Sequence, residues 1–142
     1  CGYRGDRRSI LVVDDNKSNR DVIYHFLAPL GFTILEAENG ADGLEKYLAS
    51  MPDLVIADLT MPVMDGYEMI EKICNNESPK EPNIIASSAS VEPKVQQKAI
   101  KAGAGGFLSK PIQATSLLQQ IAEQLSISWL KTDIHVPMRW NK

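Results

Sequence analysis

Five short apolar runs, spaced so that one helix fits between each pair, limit this chain to very few architectures. The runs cover 9–13, 32–36, 53–57, 83–87 and 106–109. The first, Ser9-Ile-Leu-Val-Val13, is rich in β-branched residues and stops at the turn-forming cluster Asp14-Asp15-Asn16, so it reads as a buried strand. Four of the five are nearly continuous apolar stretches. A strand with one wet face alternates apolar and polar residues, whereas a strand buried on both faces does not. Between the runs, apolar residues recur at helical spacing. Val22, Ile23, Phe26, Leu27 and Leu30 precede a stop at Gly31, and Ala41, Leu44 and Leu48 follow an Asn39 cap. Met69, Ile70 and Ile73 follow a loop broken by Pro62 and Gly66. Val95, Ala99 and Ala102 share a face of a helix over 91–102, and Leu117, Leu118, Ile121 and Leu125 mark the last helix. Strand and helix alternate throughout. The expected fold class is α/β, a parallel sheet with helices on both faces joined by right-handed crossovers.

With 142 residues the chain suits one domain, large enough to bury roughly 68–70% of its unfolded surface without staples. No run of ~18 apolar residues is present, so no membrane span is expected. The polar opening CGYRGDRR does not read as a signal peptide. Cys1 and Cys74 lack metal-site spacing and are too few for a disulfide framework, which fits a reducing, cytoplasmic setting. The chain starts without Met, and the expectation is a segment of a longer protein. Net charge is −3, but residues 1–8 contribute +2 and 127–142 another +2, so 9–126 carries −7. An acidic body argues against nucleic acid, whose recognition needs a basic stripe. The basic ends read as a linker (1–8) and a tail (127–142) around one domain at 9–126.

In an open α/β sheet, ligands bind beyond the carboxyl ends of the strands. The first strand delivers Asp14 and Asp15 there, the third Asp58, the fourth Ser87 and Ser88, and the fifth Lys110. A single Asp after a strand is commonly a turn former or a helix cap. The joint set is different. Three carboxylates at one edge repel one another and call for a cation. Oxygen-only ligands select a hard ion, and an open carboxylate site that keeps waters suits Mg²⁺ better than Ca²⁺; zinc lacks a nearby His or Cys. A hydroxyl and an ammonium facing such carboxylates make sense if a phosphoryl group attaches there. Aspartate can be the acceptor, as an acyl phosphate.

ILVVDDN at 10–16, DLVIADLTMPVMDG at 53–66, ASSAS at 86–90 and GFLSKP at 106–111 together resemble a response-regulator receiver domain of two-component systems. The likeness covers about 9–126. It implies a flavodoxin-like (βα)5 doubly wound sheet of strand order 2-1-3-4-5. It implies that Asp58 is the phosphoacceptor, taking a phosphoryl group from a phosphohistidine on a kinase or phosphotransfer domain. Asp15 would ligate Mg²⁺ directly, Asp14 through water, with Asp58 and the Thr60 backbone carbonyl completing the protein ligands. Ser88, rather than Ser87, would be the switch hydroxyl and Phe107 the switch aromatic. Lys110 would contact the phosphoryl group, and Lys110-Pro111 would be a cis peptide, which X-Pro alone makes cheap. Phosphorylation would then alter the face built from the fourth helix, fifth strand and fifth helix, where a downstream protein or a second copy docks.

Departures are small. Ser88 stands where relatives often have Thr, and Phe107 where they often have Tyr, so the aromatic switch would rest on packing alone. Thr60 and Ser90 flank the acyl phosphate, where the family tunes its lifetime. Such a chain phosphorylates and dephosphorylates its own side chain rather than turning over a substrate. A haloacid-dehalogenase-type phosphatase uses similar residues but places Asp-x-Asp after its first strand, where this chain has Asp14-Asp15-Asn16. A receiver-like module that is never phosphorylated is a further alternative, opposed by the intact Asp15, Asp58 and Lys110. A nucleotide or flavin binder needs a Gly- or hydroxyl-rich first loop, which DDNKSN is not. His25 reads as a packed or surface helix residue and His135 as a solvated one. The ends, GYRGDRRSILVVDD and LLQQIAEQLSISWL, resemble the flanks of a C-terminal receiver in hybrid sensor histidine kinases, whose parent protein could be membrane-anchored.

Overall fold

The computed structural model describes residues 9–61, 64–75, 83–90 and 92–125. The linker 1–8 and tail 127–142 lie outside the described residues, as do Pro62 and Val91. The elements run β1 (Ser9–Val13), α1 (Lys17–Leu27), a 3₁₀ turn (Ala28–Leu30), β2 (Thr33–Ala37), α2 (Gly40–Ser50), β3 (Leu54–Asp58), α3 (Gly66–Cys74), β4 (Ile84–Ser88), α4 (Pro93–Ala102), β5 (Gly106–Ser109) and α5 (Ala114–Leu125). All strand pairs are parallel, and the order is β2-β1-β3-β4-β5. Leu11, Val13, Val55, Ala57, Ile84 and Ala86 face a core closed by α2, α3 and α4. Ile10, Val12, Leu54, Ile56 and Ile85 face a second core closed by α1 and α5. The continuous apolar runs follow from that: each central strand is buried on both sides.

Local chemistry fixes where the helices start. Asn16 accepts from the Ser18 and Asn19 amides at 2.8 and 3.2 Å and caps α1. Asn39 caps α2 through the Asp42 amide at 2.8 Å, and Asp65 caps α3 through the Glu68 amide at 2.9 Å. Gly31 ends the 3₁₀ turn at φ 99°, a left-handed conformation that a residue with a Cβ resists.

Three strands begin one residue later than the apolar pattern predicts. Asp53 is used otherwise: its carboxylate accepts the Ser9 amide at 2.8 Å, and its carbonyl accepts from the Asn83 side chain at 3.2 Å. β2, β3 and β4 also end one residue later. Backbone pairing is indifferent to side-chain polarity, so the ladder continues through Asp58↔Ser87 and Ser88↔Ser109. That extension carries the Asp58 carboxylate and the Ser88 hydroxyl into the buried end of the sheet.

The core face of α2 also departs from expectation. Ala41 is exposed and Leu48 is 48% exposed, whereas Gly40, Gly43 and Tyr47 are buried and Leu44 is half-buried. Counting apolar side chains gives glycine no weight, yet Gly43 lets the helix close on Val13 and Met69. In α1 likewise, Ile23 and Leu27 are buried and Val22 is exposed.

Gly66 makes the tightest of these approaches near the carboxyl edge. A Cβ there would overlap the Asp58 carbonyl oxygen and stand 2.7 Å from the Leu59 Cα. Gly66→Ala should therefore destabilise the domain by about 1–3 kcal/mol, although alanine is the better helix former. Urea unfolding measures this, and a variant as stable as the parent would show that α3 can lift from β3 without cost.

Candidate functional site

Asp14 leaves the end of β1 with its backbone tied down. Its amide donates to the Ala37 carbonyl at 3.1 Å, prolonging the β1–β2 ladder. Its carboxylate is 2% exposed; Oδ1 accepts the Asn16 amide at 2.9 Å and Oδ2 accepts the Lys110 ammonium at 3.0 Å. Asp58, the last residue of β3, offers Oδ1 to the Thr60 amide at 3.3 Å and Oδ2 to the same Lys110 Nζ at 3.1 Å. Lys110 follows β5, and its amide donates to the Ser88 carbonyl at 2.9 Å, which hangs the residue from the end of β4. The Lys110-Pro111 peptide is cis. Asp15 is exposed beside this pair, and one oxygen each from Asp14, Asp15 and Asp58 lies within 4.8 Å of the others.

The electrostatics favour a further cation. Burial pushes the Asp58 carboxyl above its ordinary range, and the Asp14 charge pushes it further; Lys110 and the Thr60 amide oppose both. Burial alone would lower Lys110. Its hydrogen bond to Asp14 and the charges of Asp14 and Asp58 outweigh burial, so it is raised and stays protonated at neutral pH. Three carboxylates against one ammonium give the site a formal charge of −2. The donors are all oxygen, one edge is open through Asp15, and the buried pair already holds an ammonium. These residues fit a small hard divalent cation such as Mg²⁺.

The remaining predicted residues sit around this centre. Ser87 registers with Asp58, and its hydroxyl lies 3.5 Å from the Ala57 carbonyl. Ser88 is buried, and its Oγ accepts the Ser90 amide at 3.0 Å. Phe107 registers with Ala86, and Ser88 stands two residues further along the same face of β4. Phe107 is half-buried and packs on the α2–α4 side of the sheet. A hydroxyl at the sheet edge and an aromatic one step below it thus share one face.

Two participants were missed by reading the sequence. Asn16 appeared only as part of a turn, but its amide anchors Asp14 while its side chain caps α1. Arg20 carries no role in the sequence pattern beyond its place on α1. It lies in the first turn of α1, where the helix dipole disfavours a cation, and that anomaly was the available signal.

The chain matches the family model for the response regulator receiver domain over residues 10–122. It is 41% identical over 118 residues to the chemotaxis protein CheY of Bacillus subtilis, an alignment covering 82% of this chain and 97% of the relative. It is similar to CheY of Borrelia burgdorferi solved in a CheX–CheY–BeF₃–Mg²⁺ complex, at TM-score 0.75 and 28% identity, covering 82% of this chain and 87% of that one. It also matches a co-crystal structure of the Saccharomyces cerevisiae histidine phosphotransfer protein Ypd1 with the receiver domain of Ssk1, at TM-score 0.78 and 25% identity, covering 84% and 90% of the two chains. Parallel order 2-1-3-4-5, an acidic carboxyl edge and a family match across that whole body agree, and the chain belongs to the response regulator receiver domain family.

Proposed function

We propose that this chain accepts a phosphoryl group from a phosphohistidine onto Asp58. The observation that carries the reading is the buried Asp58 carboxylate sharing one ammonium, Lys110, with Asp14. An Asp58 oxygen attacks phosphorus, the P–N bond to the imidazole breaks, and the nitrogen keeps the electron pair. Lys110 stabilises charge on the transferred group, and the Thr60 amide already points at Asp58. Asp14, Asp15, Asp58 and the Thr60 carbonyl would hold Mg²⁺, which neutralises phosphoryl charge when bound.

The added charge of roughly −2 then competes for Ser88. Ser88 leaves the Ser90 amide for a phosphoryl oxygen, and Phe107 follows into the space on the same face. The α4–β5–α5 surface thereby changes its affinity for a downstream protein or a second copy as a two-state shift. The Ypd1–Ssk1 complex supports a histidine phosphotransfer protein as the class of donor. We take 9–126 as the receiver body in a cytoplasmic setting, and the likeness of GYRGDRRSILVVDD and LLQQIAEQLSISWL to the flanks of hybrid-kinase receivers supports the C-terminal receiver of a hybrid histidine kinase.

A receiver-like module that never carries phosphate differs at one measurement. Beryllofluoride with Mg²⁺ should shift the backbone amide resonances of Ser88, Phe107 and Lys110, and Asp58→Asn should abolish the response. Unchanged spectra in the wild-type chain would leave the non-phosphorylated module as the reading. A haloacid-dehalogenase-type phosphatase would instead turn over p-nitrophenyl phosphate. Asp58 at the end of β3 rather than β1 disfavours it.

A further inference from the structure

We propose that Arg20, braced by Glu36, is a positioning residue that fixes the Asp14–Asp15 peptide and thereby sets the cation affinity of the site. The inference rests on the metal-binding reading above. Arg20 reaches back from the first turn of α1 with only 13% of its side chain exposed. Its Nη1 donates to the Asp14 carbonyl at 2.5 Å, and its Nε donates to Glu36 Oε1 on β2 at 3.1 Å. The other face of the Asp14 backbone is held by Ala37, also on β2, through the Asp14 amide. Both polar atoms of the Asp14 main chain are therefore referred to the β2 edge, one directly and one through Arg20.

This anchorage matters most for Asp15. The carbonyl that Arg20 grips belongs to the peptide plane joining Asp14 to Asp15, so gripping it fixes the direction in which the Asp15 Cα leaves the strand. Beyond Asp15, the Asn16 amide is pinned to Asp14 Oδ1. Asp15 is held from both sides while its own carboxylate stays exposed. A cation between Asp14, Asp15 and Asp58 needs three oxygens converged before it arrives, and pre-paid ordering of this kind raises affinity. Groups that orient ligands in this way typically change metal affinity by 10–100-fold when removed.

Arg20 is suited to the task because it is planar and makes two divergent bonds at once; a lysine can make one of them well but not both. A cleft of about 290 Å³ opens beside it, lined by Arg20, Glu36, Glu38, Asp42 and Lys46, and leaves the Glu36 side chain more exposed than the arginine. Lys46 is engaged elsewhere, with Asp42 at 3.4 Å and with the Glu36 carbonyl, and does not substitute for it.

The test compares wild type, Arg20→Met, Arg20→Lys and Glu36→Gln. Mg²⁺ affinity is measured by calorimetry, and phosphorylation by acetyl phosphate is followed over a Mg²⁺ series. Arg20→Met should weaken Mg²⁺ about 10-fold or more while the rate at saturating Mg²⁺ stays near wild type. Arg20→Lys should recover part of that loss, and Glu36→Gln, which keeps an acceptor for Nε, should lose about 2–3-fold. In the metal-free chain, amide hydrogen exchange at Asp15 and Asn16 should speed up in Arg20→Met and not at core strands. Wild-type Mg²⁺ affinity in Arg20→Met, or a lower saturated rate with unchanged affinity, overturns the proposal. Should Arg20→Met fail to fold, Arg20→Lys and Glu36→Gln decide it, since wild-type affinity in both overturns it equally. Failure of the wild-type chain itself to bind Mg²⁺ would strike the site reading instead, which keeps the two outcomes distinct.

Discussion

Asp58→Asn will take up no phosphoryl group from acetyl phosphate and Mg²⁺, whereas the wild-type chain will gain one, read by intact mass. The carboxamide keeps the size and the contact to Lys110 but offers no anionic oxygen to attack phosphorus. Labelling should fall by ~10²-fold or more, the scale of losing a nucleophile outright. Equal labelling in the variant would move the acceptor elsewhere, and peptide mapping of the product would show where.

The same substitution should stabilise the metal-free fold. Asp58 is buried beside Asp14, and both burial and that charge hold its carboxyl above the ordinary value. Native Asp58 therefore binds its proton more tightly than it does in the unfolded chain. As pH rises from ~4 through the native value, the folded state holds a proton that the unfolded state has released, and stability from this group is lost. At neutral pH, Asp58→Asn removes that penalty, and the variant should melt above wild type in EDTA. Below pH ~4 the two proteins should converge. With Mg²⁺ the order should reverse, because the ion binds more tightly to the chain that keeps all three carboxylates and stabilises it more. A wild-type chain more stable than the variant at pH 7 in EDTA would mean that Lys110 alone more than offsets the repulsion.

Lys110→Met should produce the largest loss of stability. Its side chain is 18% exposed and makes ion pairs of 3.0 and 3.1 Å to Asp14 and Asp58. Removing one partner of a buried ion pair leaves uncompensated charge, at a cost of about 3 kcal/mol or more, and Tm should drop by ~10 °C in EDTA. Its native pKa is raised by those two carboxylates despite burial. The contribution is then fully present below the unfolded value of ~10.4 and is lost as pH rises through the native one. The gap between the proteins should hold from pH 7 to 9 and close above that. It should also shrink at acid pH, as the carboxylates protonate. Mg²⁺ should restore more stability to the variant than to wild type, because the site charge deepens from −2 to −3 once the ammonium is gone. Phosphorylation should still fall ~10²-fold at saturating Mg²⁺, since a second cation on the transferred group is missing. An equal response of the two proteins to Mg²⁺ would show that the acidic centre does not bind the ion.

Residue type carried much of the site. Asp14, Asp15, Asp58 and Lys110 were legible because parallel strands deliver their last residues to one edge, so strand order alone brings distant positions together. Ser88 was separable from Ser87 only by resemblance. The structure adds a physical distinction: Ser88 lies on the Phe107 face of β4, Ser87 on the other. Asn16 escaped because its hold on Asp14 is made by a backbone amide, which no residue pattern marks, and Arg20 because its grip on the Asp14 carbonyl shows in the sequence only as a cation in the first turn of α1.

The sequence by itself determined the α/β class, the number and order of elements and the chemistry gathered at the carboxyl edge. Those follow from periodicity, turn residues and residue type, which are local properties. Only the tertiary structure decided where the strands end, that Gly43 and Tyr47 rather than Leu48 face the core, and that one ammonium is shared by two buried carboxylates. Each of these depends on which backbone and which charges lie across the sheet. A pairing between residues tens of positions apart has no signature in the residues on either side of it.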